Sequence, residues 1–144
     1  MRLTSPDFEH NHNIPVRFTC QGEDISPNLY ISEVPEGTKS LVLIVNDPDA
    51  TNGNWDHWIV FNIAPDVRVI PENSIPGVEG MNDYGRPDWG GPCPPRGTHR
   101  YFFKLYALDR MLSLPQGVKK AQVLKTMEPC ILQEAELIGL YTKH

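Results

Sequence analysis

Acidic, imidazole and aromatic side chains lie next to apolar runs that resemble β-strands. Asp47 and Asp49 follow the run LVLIV, and His57 precedes the run WIVFNI. Further along the chain, His99 and Tyr101 open a third run, HRYFFKLYAL. Carboxylates, imidazoles and phenols at strand ends can form a small pocket, and imidazolium and phenol groups donate hydrogen bonds to anions. These residues predict recognition of a small anionic group.

The segment Asp47-Pro48-Asp49 has two interpretations. Residues two apart in an extended segment point the same way, so both carboxylates could face one site. Alternatively, Asp-Pro-Asp favours a turn that ends a strand, with a carboxylate bonded to the local backbone. From these residues alone, both interpretations stay open.

His57 and His99 each open an apolar run. If the strands of Asp47 and His57 are neighbours, the two residues lie at one sheet edge. An aspartate beside a histidine then fixes its tautomer and makes it more basic. The alternative is a histidine that caps a strand by bonding a backbone carbonyl. Tyr101 shares a strand face with His99, whereas Arg100 points to the other face, where we expect an ion pair.

Short apolar or alternating segments between turn residues predict a mostly β fold. After the polar residues 1–13, the expected strands are 16–20, 29–31, 39–45, 58–63, 67–70 and 99–108. The aromatic residues Phe102 and Phe103 of the last strand are expected in the core. Because the connections are mostly short turns, the fold class predicted is an antiparallel β-sandwich.

One or two short helices are expected near the C-terminus. The apolar residues Val118, Ala121, Leu124 and Met127 recur every three positions and form one stripe of a helix. Pro129 should end or kink that helix. A strand beginning near residue 135 would then close the fold.

The segment 71–98 is rich in glycine and proline and has no strand or helix pattern. A structureless stretch of this length inside a domain is usually functional or disordered. Its aromatic residues Tyr84 and Trp89 argue against disorder. We therefore expect an ordered loop that forms one wall of the site.

Length and charge exclude several classes of protein. Residues 1–144 are enough for one domain with its own core, and a single domain is predicted. A net charge of −5 gives no basic footprint for nucleic acid and no polybasic membrane patch. No apolar stretch approaches the roughly 20 residues of a membrane span, and the N-terminal residues lack the apolar stretch of a signal peptide.

The three cysteines, Cys20, Cys93 and Cys130, are an odd number without a Cys-x-x-Cys pair. This spacing does not favour a structural zinc site, and we expect neither a metal nor a cofactor. Free thiols in a reducing compartment are favoured over a disulfide, so a cytoplasmic location is expected.

The segments NDPDA, DHWIVFNI and GGPCPPRGTHRYFFKLYALD together resemble the phosphatidylethanolamine-binding protein family. The similarity is greatest to its bacterial and archaeal branch of Raf-kinase-inhibitor-like proteins. The segment IPVRFTCQGEDISPNL resembles the opening of that branch, and CILQEAELIGLY resembles its ending. The resemblance covers nearly the whole chain in order, and it implies a β-sandwich with a small anion pocket at one end.

The resemblance also implies which residues bind the ligand. Carried over position by position, the ligand-binding residues are Asp47, Asp49, Trp55, His57, Gly91, Pro94, His99 and Tyr101, with Cys93 beside them. The implied ligands are phosphate-like or carboxylate-like groups, including a phosphorylated lipid head group. Two aspartates next to a phosphate repel it, so we interpret them as groups that orient the histidines.

The leading functional hypothesis is a binding protein for a small anionic ligand, with a regulatory use and an unidentified protein partner. One alternative is a protease or kinase inhibitor that acts through surface loops. Another is a hydrolase that uses the Asp and His residues, or Cys93 with His99 as nucleophile and base. No G-x-S-x-G motif supports a serine nucleophile, so a non-enzymatic role is favoured.

Overall fold

The computed structural model describes residues 1–144, and most of its regular structure is β-strand. The nine strands are β1 (Arg2–Thr4), β2 (His12–Asn13), β3 (Leu29–Ser32), β4 (Ser40–Asp47), β5 (Trp55–Ile63), β6 (Val69–Ile70), β7 (Val78–Glu79), β8 (Thr98–Leu108) and β9 (Ile131–Thr142). One α-helix, α1, spans Lys120–Met127, and short 3-10 helices span Val16–Phe18 and Glu128–Cys130.

The strands form two sheets. The smaller sheet has three strands in the order β1-β3-β6, and the larger has six in the order β2-β9-β8-β4-β5-β7. Every neighbouring pair is antiparallel except β2 and β9, which run parallel. The predicted antiparallel β-sandwich is confirmed.

Strand β4 is buried along its whole length because both faces of the larger sheet are covered. One face of this sheet forms the main core with the smaller sheet. The other face packs against Val123 and Met127 of α1. A strand buried on both faces has a continuous apolar sequence, which explains the run LVLIV. The strand ends at Asp47, just after this run.

The predicted strand at 16–20 is wrong, since this segment begins with the 3-10 helix Val16–Phe18. Pro15 leads into the turn, and both the amide and the hydroxyl of Thr19 donate to the Val16 carbonyl. Phe18, with 1% of its surface exposed, packs into the hydrophobic core, and the neighbouring Thr19 is also buried. The five residues alternate in sequence, but the two buried ones, Phe18 and Thr19, are consecutive, as a turn allows and a strand with one buried face does not.

Helix α1 is present, but it buries a different stripe from the one predicted. Val123 and Met127 face the sheet, whereas Leu124 is 37% exposed and Val118 precedes the helix. At 3.6 residues per turn, a strict three-residue repeat drifts off one face, while positions four apart stay together. The helix ends at Met127, ahead of Pro129 as predicted, and β9 begins at Ile131, earlier than the expected residue 135.

The two phenylalanines of β8 lie on opposite faces of the sheet. Phe103 is fully buried, as predicted. Phe102 is only half-buried, so its predicted core position is wrong. The charged groups of Arg100 and Lys104 lie 5.3 and 5.6 Å from its ring centroid. Because side chains alternate between the two faces of a strand, Phe102 lies on the same face as Arg100 and Lys104.

Two of the three predicted free thiols instead form a disulfide between Cys20 and Cys93. The segments that carry them run side by side, because the Cys20 amide donates to the Pro92 carbonyl. Only Cys130 is a free, buried thiol. The spacing of 73 residues gave no sign of this tertiary proximity, and the cytoplasmic location, which rested partly on free thiols, stays a prediction.

Candidate functional site

The end of β4 lies beside the beginnings of two neighbouring strands. β4 runs antiparallel to β5 on one side and to β8 on the other. Asp47 is therefore paired with Trp55, and the adjacent Asn46 is paired with Phe102. This arrangement confirms that Asp47 and His57 lie at one edge of the sheet.

A pocket of about 290 Å³ opens at this edge, and we call it the strand-end pocket. Its lining residues are Asp47, Ala50, Thr51, Asn52, Trp55, His57, Tyr84, Cys93, Pro94, Pro95, His99 and Tyr101. Of the residues predicted from the sequence, only Asp49 and Gly91 do not line it. Tyr84 and Pro95 come from the 71–98 segment, which forms a wall of the pocket.

Asp47 combines the two roles that the sequence left open. Its Oδ2 atom lies 2.7 Å from Nδ1 of His99, and both side chains are nearly buried. Its Oδ1 atom accepts a hydrogen bond from the backbone amide of Asp49 at 2.8 Å. Asp47 therefore closes an Asx turn and orients a histidine, but that histidine is His99 and not the expected His57.

His57 bonds to the backbone and not to an aspartate. Its Nδ1 atom lies 2.6 Å from the Gly90 carbonyl oxygen, which can only accept, so Nδ1 carries a proton. The ring is 2% exposed, and burial lowers its pKa, opposed by the Gly90 carbonyl and the Asp47 charge. The expectation of a more basic His57 is wrong. A neutral ring leaves the Nε2 lone pair free, and no protein group bonds to it.

Aromatic rings surround His57. The Tyr101 and Tyr84 rings meet it edge to face at centroid distances of 5.2 and 5.7 Å. Trp55 packs against Tyr84 at 5.4 Å. The Tyr84 hydroxyl donates to the Gly91 carbonyl, and burial raises the pKa of Tyr84 to about 12. Tyr84 is not among the residues predicted for the site, although its aromatic ring in the expected wall was an available signal.

Two hydrogen-bond donors of the strand-end pocket have no acceptor in the protein. These are Nε1 of Trp55 and the hydroxyl of Tyr101, both buried. Burial, reinforced by the Asp47 charge, raises the pKa of Tyr101, so its hydroxyl keeps the proton. An unsatisfied buried donor costs about 1–3 kcal/mol, so a bound acceptor that satisfies both would be favoured.

Asp49 lies outside the strand-end pocket and pairs with Arg100. Its two carboxylate oxygens accept from Nε and Nη2 of Arg100, both at 2.9 Å. The Arg100 hydrogen bond is the main reason why the pKa of Asp49 is lowered. Asp49 therefore does not orient a histidine, whereas the expected ion pair of Arg100 is confirmed.

Gly91 does not line the strand-end pocket and instead allows two segments to pack closely. Its amide donates to Oδ1 of Asp24 at 2.8 Å, so that amide is already used. A Cβ atom at this position would lie 2.6 Å from the Phe18 carbonyl oxygen. Glycine thus lets the pocket wall lie directly against the segment that begins with the 3-10 helix Val16–Phe18.

The structure shows no arrangement of side chains for metal binding or for a cysteine nucleophile. No group of three or more His, Cys, Asp or Glu side chains is placed to hold a metal ion. Cys93 lines the strand-end pocket as half of a disulfide, so it has no thiol to serve as a nucleophile for His99. No helix has both the length and the apolar character needed to cross a membrane.

Comparison with known proteins gives matches along almost the entire chain. Residues 4–142 match the family described as phosphatidylethanolamine-binding protein. A UPF0098 protein of Methanothermobacter thermautotrophicus is 49% identical over 150 residues, covering 99% of each chain. A UPF0098 protein of Aquifex aeolicus is 45% identical over 152 residues, covering 99% of this chain and 89% of the relative.

Solved structures agree with the sequence matches. CT736 from Chlamydia trachomatis, described as a phosphatidylethanolamine-binding protein homologue, superimposes with a TM-score of 0.96 at 46% identity, covering 99% of this chain and 97% of CT736. YbcL from E. coli, described as a member of the mammalian family, gives 0.91 at 32% identity, covering 99% and 98% of the two chains. Matched in sequence and in fold over nearly its whole length, the chain belongs to the phosphatidylethanolamine-binding protein family.

Proposed function

We propose that the strand-end pocket binds a small anion carrying a phosphate or carboxylate group, and that the protein uses this binding in a regulatory role. The observation that carries the proposal is the pair of buried donors without acceptors, Trp55 Nε1 and the Tyr101 hydroxyl. Anion oxygens are strong acceptors and would satisfy both donors. The description of the family names phosphatidylethanolamine, a phospholipid that carries a phosphate, and this supports the same ligand chemistry.

The negative charge of Asp47 does not rule out an anion, because His99 offsets it. The Nδ1 atom of His99 donates to Oδ2 of Asp47, so this carboxylate oxygen already has a partner before an anion binds. Protonated His99 can then donate from Nε2, which has no partner in the protein. The charge of Asp49 is offset separately by Arg100, outside the pocket.

His57 adds a second contact of the opposite kind. Its neutral ring offers Nε2 as an acceptor, which suits a protonated phosphate hydroxyl but not a fully ionised oxyanion. Since burial lowers the pKa of His57, its protonation occurs at a lower pH than in an unfolded chain. An anion without a proton therefore needs a protonated histidine, and its affinity should increase as the pH falls.

Titration calorimetry with sulfate and phosphate from pH 5 to 8 tests this proposal. Sulfate keeps its charge over this range, so a change in its affinity reports on the protein. We expect sulfate affinity to fall as the pH rises, by up to about tenfold per unit when one proton is taken up on binding. His99→Gln should weaken sulfate binding at pH 6 by about tenfold or more, because a charge-assisted hydrogen bond is lost.

The matched control is His12→Gln, since His12 is an exposed histidine outside the strand-end pocket. It should leave sulfate affinity unchanged at every pH. A flat sulfate profile from pH 5 to 8, or no binding of either anion, contradicts the proposal. Phosphoethanolamine binding more tightly than phosphate would identify a lipid-type head group as the preferred ligand.

A further inference from the structure

A second cavity of about 300 Å³ shares no lining residue with the strand-end pocket. It is lined by the carboxylates of Asp24, Glu79 and Asp88 and by no lysine, arginine or histidine. The Trp58 and Trp89 side chains and Ser26 also line it. We call it the acidic cavity and define it by these six residues.

Glu79 is the central feature of the acidic cavity. It is 6% exposed, and its Oε2 atom accepts a hydrogen bond from Nε1 of Trp58 at 2.8 Å. No positively charged side chain pairs with it, although buried carboxylates are almost always paired. Burial raises the pKa of Glu79, and the charge of Asp88 raises it further. Its second oxygen, Oε1, has no hydrogen-bond partner in the protein.

Ser26 gives an independent sign of a missing ligand. It is 3% exposed, yet its hydroxyl makes no hydrogen bond in the protein. Its position is fixed, because its backbone carbonyl accepts from the Asn73 amide. Because Ser26 lines the acidic cavity, its hydroxyl oxygen is available as an acceptor for a group bound there.

The other two acids leave the cavity negatively charged. Asp24 uses one oxygen, Oδ1, to accept the Gly91 amide. Asp88 pairs with Arg86 at 3.0 Å, but this ion pair is exposed and both side chains are about half accessible. Arg86 therefore offsets the outer acid and leaves Glu79 uncompensated.

The walls of the acidic cavity favour an organic cation over a metal ion. The three carboxylates are not arranged as a metal-binding group. Trp58 and Trp89 meet edge to face at 5.5 Å, and the carbon atoms of their rings form an apolar wall, while Nε1 of Trp89 is a buried donor without an acceptor. A carboxylate beside indole rings suits a positively charged nitrogen that is attached to methylene groups.

We propose that the acidic cavity binds an alkylammonium group, with the ammonium at Glu79 and Ser26 and its methylenes against the two tryptophans. The group can belong to a free amine or to a lysine side chain of a partner protein. Either source places a cation where the buried carboxylate has none. The site is independent of anion binding in the strand-end pocket.

The probes are n-butylammonium and, as its neutral counterpart of similar shape, 1-butanol. Indole N–H resonances in ¹⁵N NMR spectra report the site, because Trp58 donates directly to Glu79. Butylammonium should shift the Trp58 and Trp89 signals and leave Trp55, in the strand-end pocket, unchanged. Butanol should bind at least about tenfold more weakly, since it lacks the charge-assisted hydrogen bond.

Glu79→Gln removes the charge while keeping an acceptor for Trp58, and it should weaken butylammonium binding by about tenfold or more. The matched control is Glu36→Gln, at an exposed glutamate without an ion pair, which should have no effect. Unchanged sulfate binding by the Glu79→Gln protein shows that it is folded and separates the two sites.

Equal binding of butanol and butylammonium overturns the proposal, and so does the absence of any Trp58 shift at saturating amine. Unaltered butylammonium affinity in Glu79→Gln overturns it as well. Nα-acetyl-lysine N-methylamide then distinguishes the sources. Tighter binding of this compound than of butylammonium supports a lysine side chain, and weaker binding supports a free amine.

Discussion

At the scale of single residues, the contact between Asp47 and His99 determines the electrostatics of the strand-end pocket. The carboxylate is buried beside the imidazole and also closes the turn to Asp49. Both oxygens of the Asp47 carboxylate therefore already have a hydrogen-bond donor, one in His99 and one in the backbone, which reduces its repulsion of an anion. The same residue type two positions later, Asp49, has no such role because Arg100 holds it outside the pocket.

Asp47→Asn should lower sulfate affinity at pH 6 by about tenfold, because His99 loses the carboxylate that holds its ring in place through Nδ1. Titration calorimetry measures the change. Asp49→Asn is the matched control, and its affinity should stay within about twofold of the unmodified protein because the Asp47–His99 bond is intact. Tighter sulfate binding by Asp47→Asn would show that the aspartate acts mainly by repulsion.

The family resemblance named most of the residues that line the strand-end pocket, but not which of them pair. Strand parity placed His99 and Tyr101 on one face and Arg100 on the other, because alternation depends only on the local backbone. The choice of His99 over His57 as the partner of Asp47 depends on tertiary register, which no local pattern encodes. The carbonyl of Gly90 that holds His57 comes from a distant loop.

At the scale of elements, the long 71–98 segment is held in place by bonds to its neighbours. The Cys20–Cys93 disulfide attaches it to the segment 16–20, and Gly91 allows these two segments to pack closely. Pro94 and Pro95 follow directly and line the strand-end pocket. The sequence predicted an ordered wall from aromatic content, but a disulfide between distant cysteines leaves no local signature.

Replacing both Cys20 and Cys93 with serine should lower the free energy of unfolding by about 2–4 kcal/mol, because the disulfide constrains a long loop of the unfolded chain. Urea denaturation measures the loss. Adding a reductant to the unmodified protein should give a similar loss, and the double variant should not respond to it. An equal free energy of unfolding in all these samples would show that the disulfide does not stabilise the folded protein.

At the scale of the whole molecule, the two sheets enclose a core that the N-terminal segment completes. Phe8 is 5% exposed and packs against Phe103 with ring centroids 5.6 Å apart. The short strands β1 and β2 were not expected, because two or three residues are too few to show a period. The longer strands β4, β5 and β8 were predicted, since each buries a long apolar run. Organisation as a single domain stays a prediction.

Phe8→Ala should destabilise the protein by about 3–5 kcal/mol, mainly by faster unfolding. Phe8 lies on a segment that packs onto an already paired sheet, so its contacts should form after the folding transition state. Stopped-flow kinetics in urea separates the two rates. Phe103→Leu, within the central strand β8, should instead slow folding, and the reverse pattern would contradict this order.

The pairing of β2 with β9 has a consequence for how the protein is made. The Asn11 amide donates to the Ile138 carbonyl, and the Ile138 amide donates to His10, 128 positions away in the chain. A ribosome synthesises residues 10 and 11 long before residue 138, so their hydrogen-bond partners leave the exit tunnel much later. Phe8 and Ile14 both lie against Gly139, so they lack this contact until β9 has emerged, and a nascent chain before that stage exposes apolar surface that chaperones bind.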